Sequence, residues 1–103
     1  TICTRQRKLL FGSIRDEKMY LNKLGQIIRE EWDRTSLIRK NVEMDKYIIM
    51  PNHIHGIIII NKREGASPSP TISSIIDSFK SKCSVEYLNY IKQNNLNTSG
   101  QIW

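Results

Sequence analysis

The chain has two histidines, His53 and His55, set one residue apart in the stretch MPNHIHGIIII, Met50 to Ile60. On a β-strand, residues two apart project to the same face. The two rings therefore stand side by side, with Ile54 on the opposite face, and a pair at that spacing can share one divalent metal ion. An arbitrary His-x-His pair is more often a pair of hairpin histidines without a ligand. Here the pair holds every imidazole of the chain, opens a strand beside a turn, and precedes Gly56, which has no side chain to block approach from outside. Asn52 either serves that turn alone or helps to shape the metal site.

The elements around the pair follow from periodicity and punctuation. Residues 1–6 read as a short strand running into the basic RQRK, and LLFGSI as a loop or hairpin punctuated by Gly12. From Asn22 to Arg39, Leu24, Ile27, Ile28, Trp32, Thr35 and Ile38 recur at three- and four-residue steps, the stripe of an amphipathic helix. Asn22 suits the N-cap, and Arg39 and Lys40 suit the C-terminal end of the helix dipole. Residues 42–50 and 53–61 read as two strands of a tight antiparallel hairpin, with Pro51 and Asn52 as its turn. A polar loop is expected over 62–70. Thr71 to Cys83 is helical, with Ile72, Ile75, Ile76, Phe79 and Cys83 on one face, and Ser84 is placed to cap a further short helix carrying Tyr87, Leu88 and Ile91. NNLNTSG (94–100) is a loop, and GQIW opens a last strand.

The resulting order, β-α-β-β-α-α-β, suggests an α+β domain of ferredoxin-like (RNA-recognition-like) type, an antiparallel sheet with helices packed on it. Ile57 to Ile60 are apolar on both sides of the strand, so both sheet faces call for cover. Helices cover one face. The histidine face needs a further segment or a second subunit, and a homodimer is one solution.

The 103 residues suffice for one domain, 1–103, with one core. Both ends fall within strand-like stretches, so the chain is expected to be truncated at both. The net charge of +6 points first to a phosphate-bearing partner. Arg5, Arg7 and Lys8 near the first strand, and Lys80 and Lys82 in FKSK, are candidate phosphate contacts, each weighed equally against a solvated surface charge. Cys3 and Cys83 form no CxxC pair, which argues against a zinc ribbon or a disulfide framework and fits a reducing cytoplasm. No apolar run approaches the roughly 20 residues that a bilayer requires, so no membrane partner is expected.

In this context MPNHIHGIIII resembles the HUH motif (His, hydrophobic, His) of the single-tyrosine transposases of bacterial insertion sequences, and it looks closest to the REP-associated tyrosine transposases. TICTRQRKLLFG, LGQIIREEW, IIDSFKSKCS and GQIW agree in order, so the resemblance covers nearly the whole chain. It implies a bacterial, nucleoid-associated enzyme that cleaves and rejoins single-stranded or hairpin DNA. His53 and His55 would bind Mg²⁺ or Mn²⁺, which polarises the scissile phosphate. A tyrosine then attacks, leaving a 5′-phosphotyrosine and a free 3′-hydroxyl. In that family the tyrosine and a third metal ligand lie on a helix shortly after the strand that GQIW begins, so both are expected beyond Trp103 and this chain alone is expected to be inactive.

No catalytic tyrosine is therefore carried over to Tyr20, Tyr47, Tyr87 or Tyr90. Tyr87 falls on an apolar stripe and Tyr47 on a strand, where packing is the expected role, and Trp32 is expected in the core. Two other readings compete. A non-catalytic nucleic-acid-binding module of the same fold would stack bases on strand aromatics, whereas this strand offers histidines and isoleucines. A structural metal protein would supply four closing ligands, and no such Cys/His set exists in the sequence.

Overall fold

The computed structural model describes residues 1–39, 41–61 and 71–103; Lys40 and the expected polar loop 62–70 lie outside them. The elements run β1 (Ile2–Cys3), β2 (Gly12–Arg15), β3 (Lys18–Leu21), α1 (Lys23–Ile38), β4 (Val42–Met50), β5 (His53–Ile60) and α2 (Ile72–Gln93). The architecture is α+β. A three-stranded antiparallel sheet has the order β1-β5-β4, a separate antiparallel hairpin pairs β2 with β3, and two helices complete the domain.

Strands β4 and β5 form the expected hairpin across Pro51 and Asn52. Met50 stands opposite His53, Ile49 opposite Ile54, Ile48 opposite His55 and Tyr47 opposite Gly56, with a register shift between Met44 and Tyr47. Directly opposed residues share a face. Ile49, Ile54 and Gly56 therefore face the helices, while Ile48, Met50, His53 and His55 face away.

Helix α1 begins where its cap requires: the Asn22 side chain accepts from the Gly25 amide at 2.9 Å. Its apolar stripe buries Leu24, Ile27, Ile28, Trp32 and Thr35, whereas Ile38 is exposed at the last turn. The core gathers Ile2, Phe11, Leu24, Ile28, Trp32, Ile49, Ile54, Phe79, Cys83 and Ile102. Trp32 lies at its centre, with ring centroids of Tyr47 at 5.4 Å and Phe79 at 5.9 Å.

Four expectations are corrected. The first strand covers Ile2–Cys3 alone, because Thr4 turns the chain: its amide donates to the Asn52 carbonyl at 3.0 Å and its hydroxyl to the Lys8 carbonyl at 2.8 Å, and a 3-10 turn follows at Arg5–Arg7. The β2–β3 hairpin adds two strands before α1. Its two-residue turn places Asp16 (φ 50°) and Glu17 (φ 64°) in the left-handed region, a geometry for which Asn-Gly is the usual sequence signal. The expected pair of C-terminal helices is one helix: Thr71 caps it through the Ser74 amide, and it runs through Ser84, because a single serine does not break a helix whose buried stripe continues. GQIW forms no strand. Its link to the sheet side is the Arg5 amide donating to the Ile102 carbonyl at 2.9 Å, and Ile102 is buried. The order is thus β-β-β-α-β-β-α.

Candidate functional site

His53 and His55 lie on one face of the sheet, as the alternation requires, and the helices lie on the other. His53 is half-buried and His55 exposed. Each ring is held through Nδ1. That of His53 is 2.8 Å from Asn52 Oδ1, and that of His55 is 2.6 Å from Thr1 Oγ1. With the Asn52 oxygen accepting, His53 carries its proton on Nδ1 and leaves the Nε2 lone pair free, the tautomer of a metal-ligating histidine. The Thr1 hydroxyl can accept in the same way from His55. Asn52 is therefore part of the histidine site as well as of the turn. Thr1 was not singled out in the sequence, since nothing in its neighbours signals a partner more than fifty positions away.

Gly56 does not open the histidine face. It points to the helix side, where an added Cβ would lie 2.5 Å from Cη2 of Trp32. The alternation that sets His53 and His55 together puts Gly56 opposite to them.

The histidine face is uncovered among the described residues. Ile48, Ile57 and Ile59 expose 54%, 53% and 37% of their surface. Cys3 stands opposite His53 and is exposed, yet no group of three or more His, Cys, Asp or Glu side chains among the described residues is placed to hold a metal ion. The two imidazoles are thus at most two ligands of a divalent ion. Imidazole is a softer donor than Mg²⁺ prefers, so a pair alone holds such an ion weakly.

The candidate cations lie on two elements, the turn after β1 and α2. Arg5, Arg7 and Lys8 are exposed on the 3-10 turn and just after it. Lys80 places its Nζ 5.7 Å from the Trp103 ring centroid, and its carbonyl accepts from Trp103 Nε1 at 3.2 Å. Lys82 lines a different hollow, between α1 and α2, together with Glu31, Arg34 and Glu86. Residues two apart on a helix do not face each other, which separates Lys80 from Lys82.

Tyr47 packs beside Trp32. Burial, reinforced by the Asp33 carboxylate, raises its phenol above the usual range despite the opposing charge of Arg29. It is held as a neutral phenol and is a poor nucleophile. Tyr87 packs against the core, and the Lys23 ammonium sits 5.8 Å from the Tyr90 ring centroid. Cys83 is fully buried and its thiol is pushed up by burial and then by the Glu31 carboxylate, so it is a packing residue rather than a reactive one. Both cysteines are free. No helix among the described residues is long and apolar enough to cross a membrane.

The fold and site thus define an α+β domain with a paired-histidine face. The chain is similar to an uncharacterized protein of Haemophilus influenzae, with 35% identity over 96 residues that cover 78% of this chain and 53% of the relative. It therefore spans about half the length of that relative. No family model matches the chain, and no solved structure matches it.

Proposed function

We propose that the chain is a DNA-processing domain of the HUH single-tyrosine transposase type, acting on single-stranded or hairpin DNA in the bacterial cytoplasm, at the nucleoid. The observation that carries this reading is the pair of imidazoles on the uncovered sheet face, each anchored through Nδ1. The sheet order β1-β5-β4, with Ile102 bonded beside Arg5 just after β1, supports a ferredoxin-like arrangement in which the C-terminal stretch occupies the edge next to β1.

His53 and His55 would hold Mg²⁺ or Mn²⁺. When bound, that ion withdraws charge from the scissile phosphate and orients it. Asn52 and Thr1 fix the two rings so that little reorganisation is needed on binding. The attacking group in this reading is a tyrosine outside the residues described. Its oxygen would form the new bond to phosphorus as the bond to the 3′-oxygen breaks, releasing a 3′-hydroxyl. A non-catalytic nucleic-acid-binding module is the second reading, favoured by the lack of a third ligand beside the histidines among the described residues.

DNA binding is expected to be steeply salt-dependent, because each neutralised phosphate releases counterions. For four to six phosphate contacts on a single strand, a fourfold rise in salt lowers affinity about 50- to 300-fold. Fluorescence anisotropy with a labelled single strand at 50 and 200 mM salt measures this, and a salt-independent affinity would count against nucleic acid as the partner.

The exposed Ile57 and Ile59, toward the end of β5 away from the histidines, lead us to propose a homodimer that packs there and leaves His53 and His55 free. Light scattering at micromolar concentration should return twice the chain mass, and Ile57→Lys should restore the monomer. A monomer in the unaltered protein would rule the dimer out.

A further inference from the structure

We propose that Arg5, Lys8, Tyr87, Thr98, Ser99 and Gln101 form a seat for one phosphate group, separate from the histidine pair; reading that phosphate as one of a DNA strand rests on the function proposed above. These six residues and Leu10 line one hollow of about 100 Å³. Three separate pieces of chain meet there. The Arg5 amide bonds the Ile102 carbonyl, and Thr4 bonds the Lys8 and Asn52 carbonyls. The Arg5 bond ties the turn after β1 to the segment that follows α2, while Tyr87 approaches from α2 itself.

The lining chemistry selects the ligand. Two side chains are cationic, three carry hydroxyls, one is an amide, and Leu10 is apolar. No carboxylate lines the hollow, and the ion pair found among the described residues is Arg34 with Glu31, elsewhere on α1. A cationic ligand would therefore meet two like charges. An oxyanion would meet guanidinium and ammonium donors together with hydroxyl hydrogens. The Ser99 hydroxyl oxygen accepts from the Gln101 amide at 3.3 Å, which leaves its hydrogen available to a ligand. The hollow has room for a compact oxyanion such as one phosphate group.

A titration of ¹⁵N-labelled chain with inorganic phosphate tests the seat itself. Saturable shifts are expected at the amides of Arg5, Lys8, Thr98, Ser99 and Gln101, and potassium chloride at matched ionic strength should not reproduce them. Tyr87→Phe keeps the packed ring and removes the hydroxyl; combined with Lys8→Gln it should weaken phosphate binding about tenfold. The source of the phosphate is separated by three oligonucleotide arms: an unphosphorylated single strand, the same strand with a 5′-phosphate, and a version with neutral methylphosphonate linkages. An internal diester source predicts binding of the first and loss with the third; a terminal source predicts a requirement for the second.

Arg5→Gln with Lys8→Gln should lower the slope of log affinity against log salt by about 1 to 1.5 for a single strand. If phosphate moves none of these amides, or chloride moves them equally, the seat is wrong even where DNA binds at other positions. If phosphate is seated and no strand binds, the seat stands and the DNA reading falls.

Discussion

Trp32→Ala is expected to cost about 3–5 kcal/mol of folding stability, a large part of the roughly 5–15 kcal/mol that a domain of this size possesses. The indole is 2% exposed and lies between α1 and the sheet, against Tyr47 on one side and Phe79 on the other. Its Nε1 reaches the Asp45 carbonyl at a long 3.4 Å, so packing and not that bond supplies most of the loss. Gly56 belongs to the same contact. Gly56→Ala would set a methyl group 2.5 Å from Cη2 and 2.6 Å from Cζ2 of the indole, and should cost about 1–3 kcal/mol. In a Trp32→Leu background that second penalty should largely vanish, since the atoms it meets are gone. Urea denaturation of the unaltered protein, Trp32→Ala, Gly56→Ala, Trp32→Leu and the Trp32→Leu/Gly56→Ala double variant measures both effects. A neutral Gly56→Ala in the unaltered background would contradict the packing described.

The same strand shows what the sequence made legible and what it did not. Period-two alternation places His53 and His55 on one face whatever the rest of the fold does, so the pair was readable. That alternation also sends Gly56 to the helix side; reading Gly56 as an opening beside the histidines treated a neighbour in sequence as a neighbour on the face. The α1 stripe was readable as far as Thr35, and Ile38 is exposed at the last turn. The β2–β3 hairpin was readable only as the alternative to a loop at LLFGSI, because Asp16 and Glu17 occupy turn positions where Asn-Gly would have signalled it. Ser84 read as a cap because serine favours caps in isolation, whereas Cys83 and Tyr87 carry the packed face straight past it. The hollow formed by Arg5, Lys8, Tyr87 and the segment 98–101 left no local trace, since its parts lie some ninety positions apart.

His53→Ala and His55→Ala are each expected to lower affinity for Mn²⁺ at least tenfold, because one imidazole alone offers a single soft ligand. Asn52→Ala should weaken binding by about ten- to a hundredfold while keeping both rings. It frees the His53 ring to rotate and to place its proton on Nε2. The Asn52 carbonyl that accepts from Thr4 is main chain, so the turn is retained. Calorimetric titration with Mn²⁺ gives the three affinities, and thermal unfolding shows whether the fold is kept. An Asn52→Ala protein that binds Mn²⁺ as the unaltered chain does would remove the ring-orienting role.

On the proposed reading, the two histidines act together on one divalent ion. Because the chain contains two histidines, its imidazole proton spectrum holds two ring systems, and both can be followed at once. On addition of Mn²⁺ to the unaltered protein, the His53 and His55 ring signals are expected to broaden together, with one concentration dependence, and to return on chelation. If neither ring responds at millimolar Mn²⁺, or if one responds and the other does not, the paired-histidine metal site is contradicted.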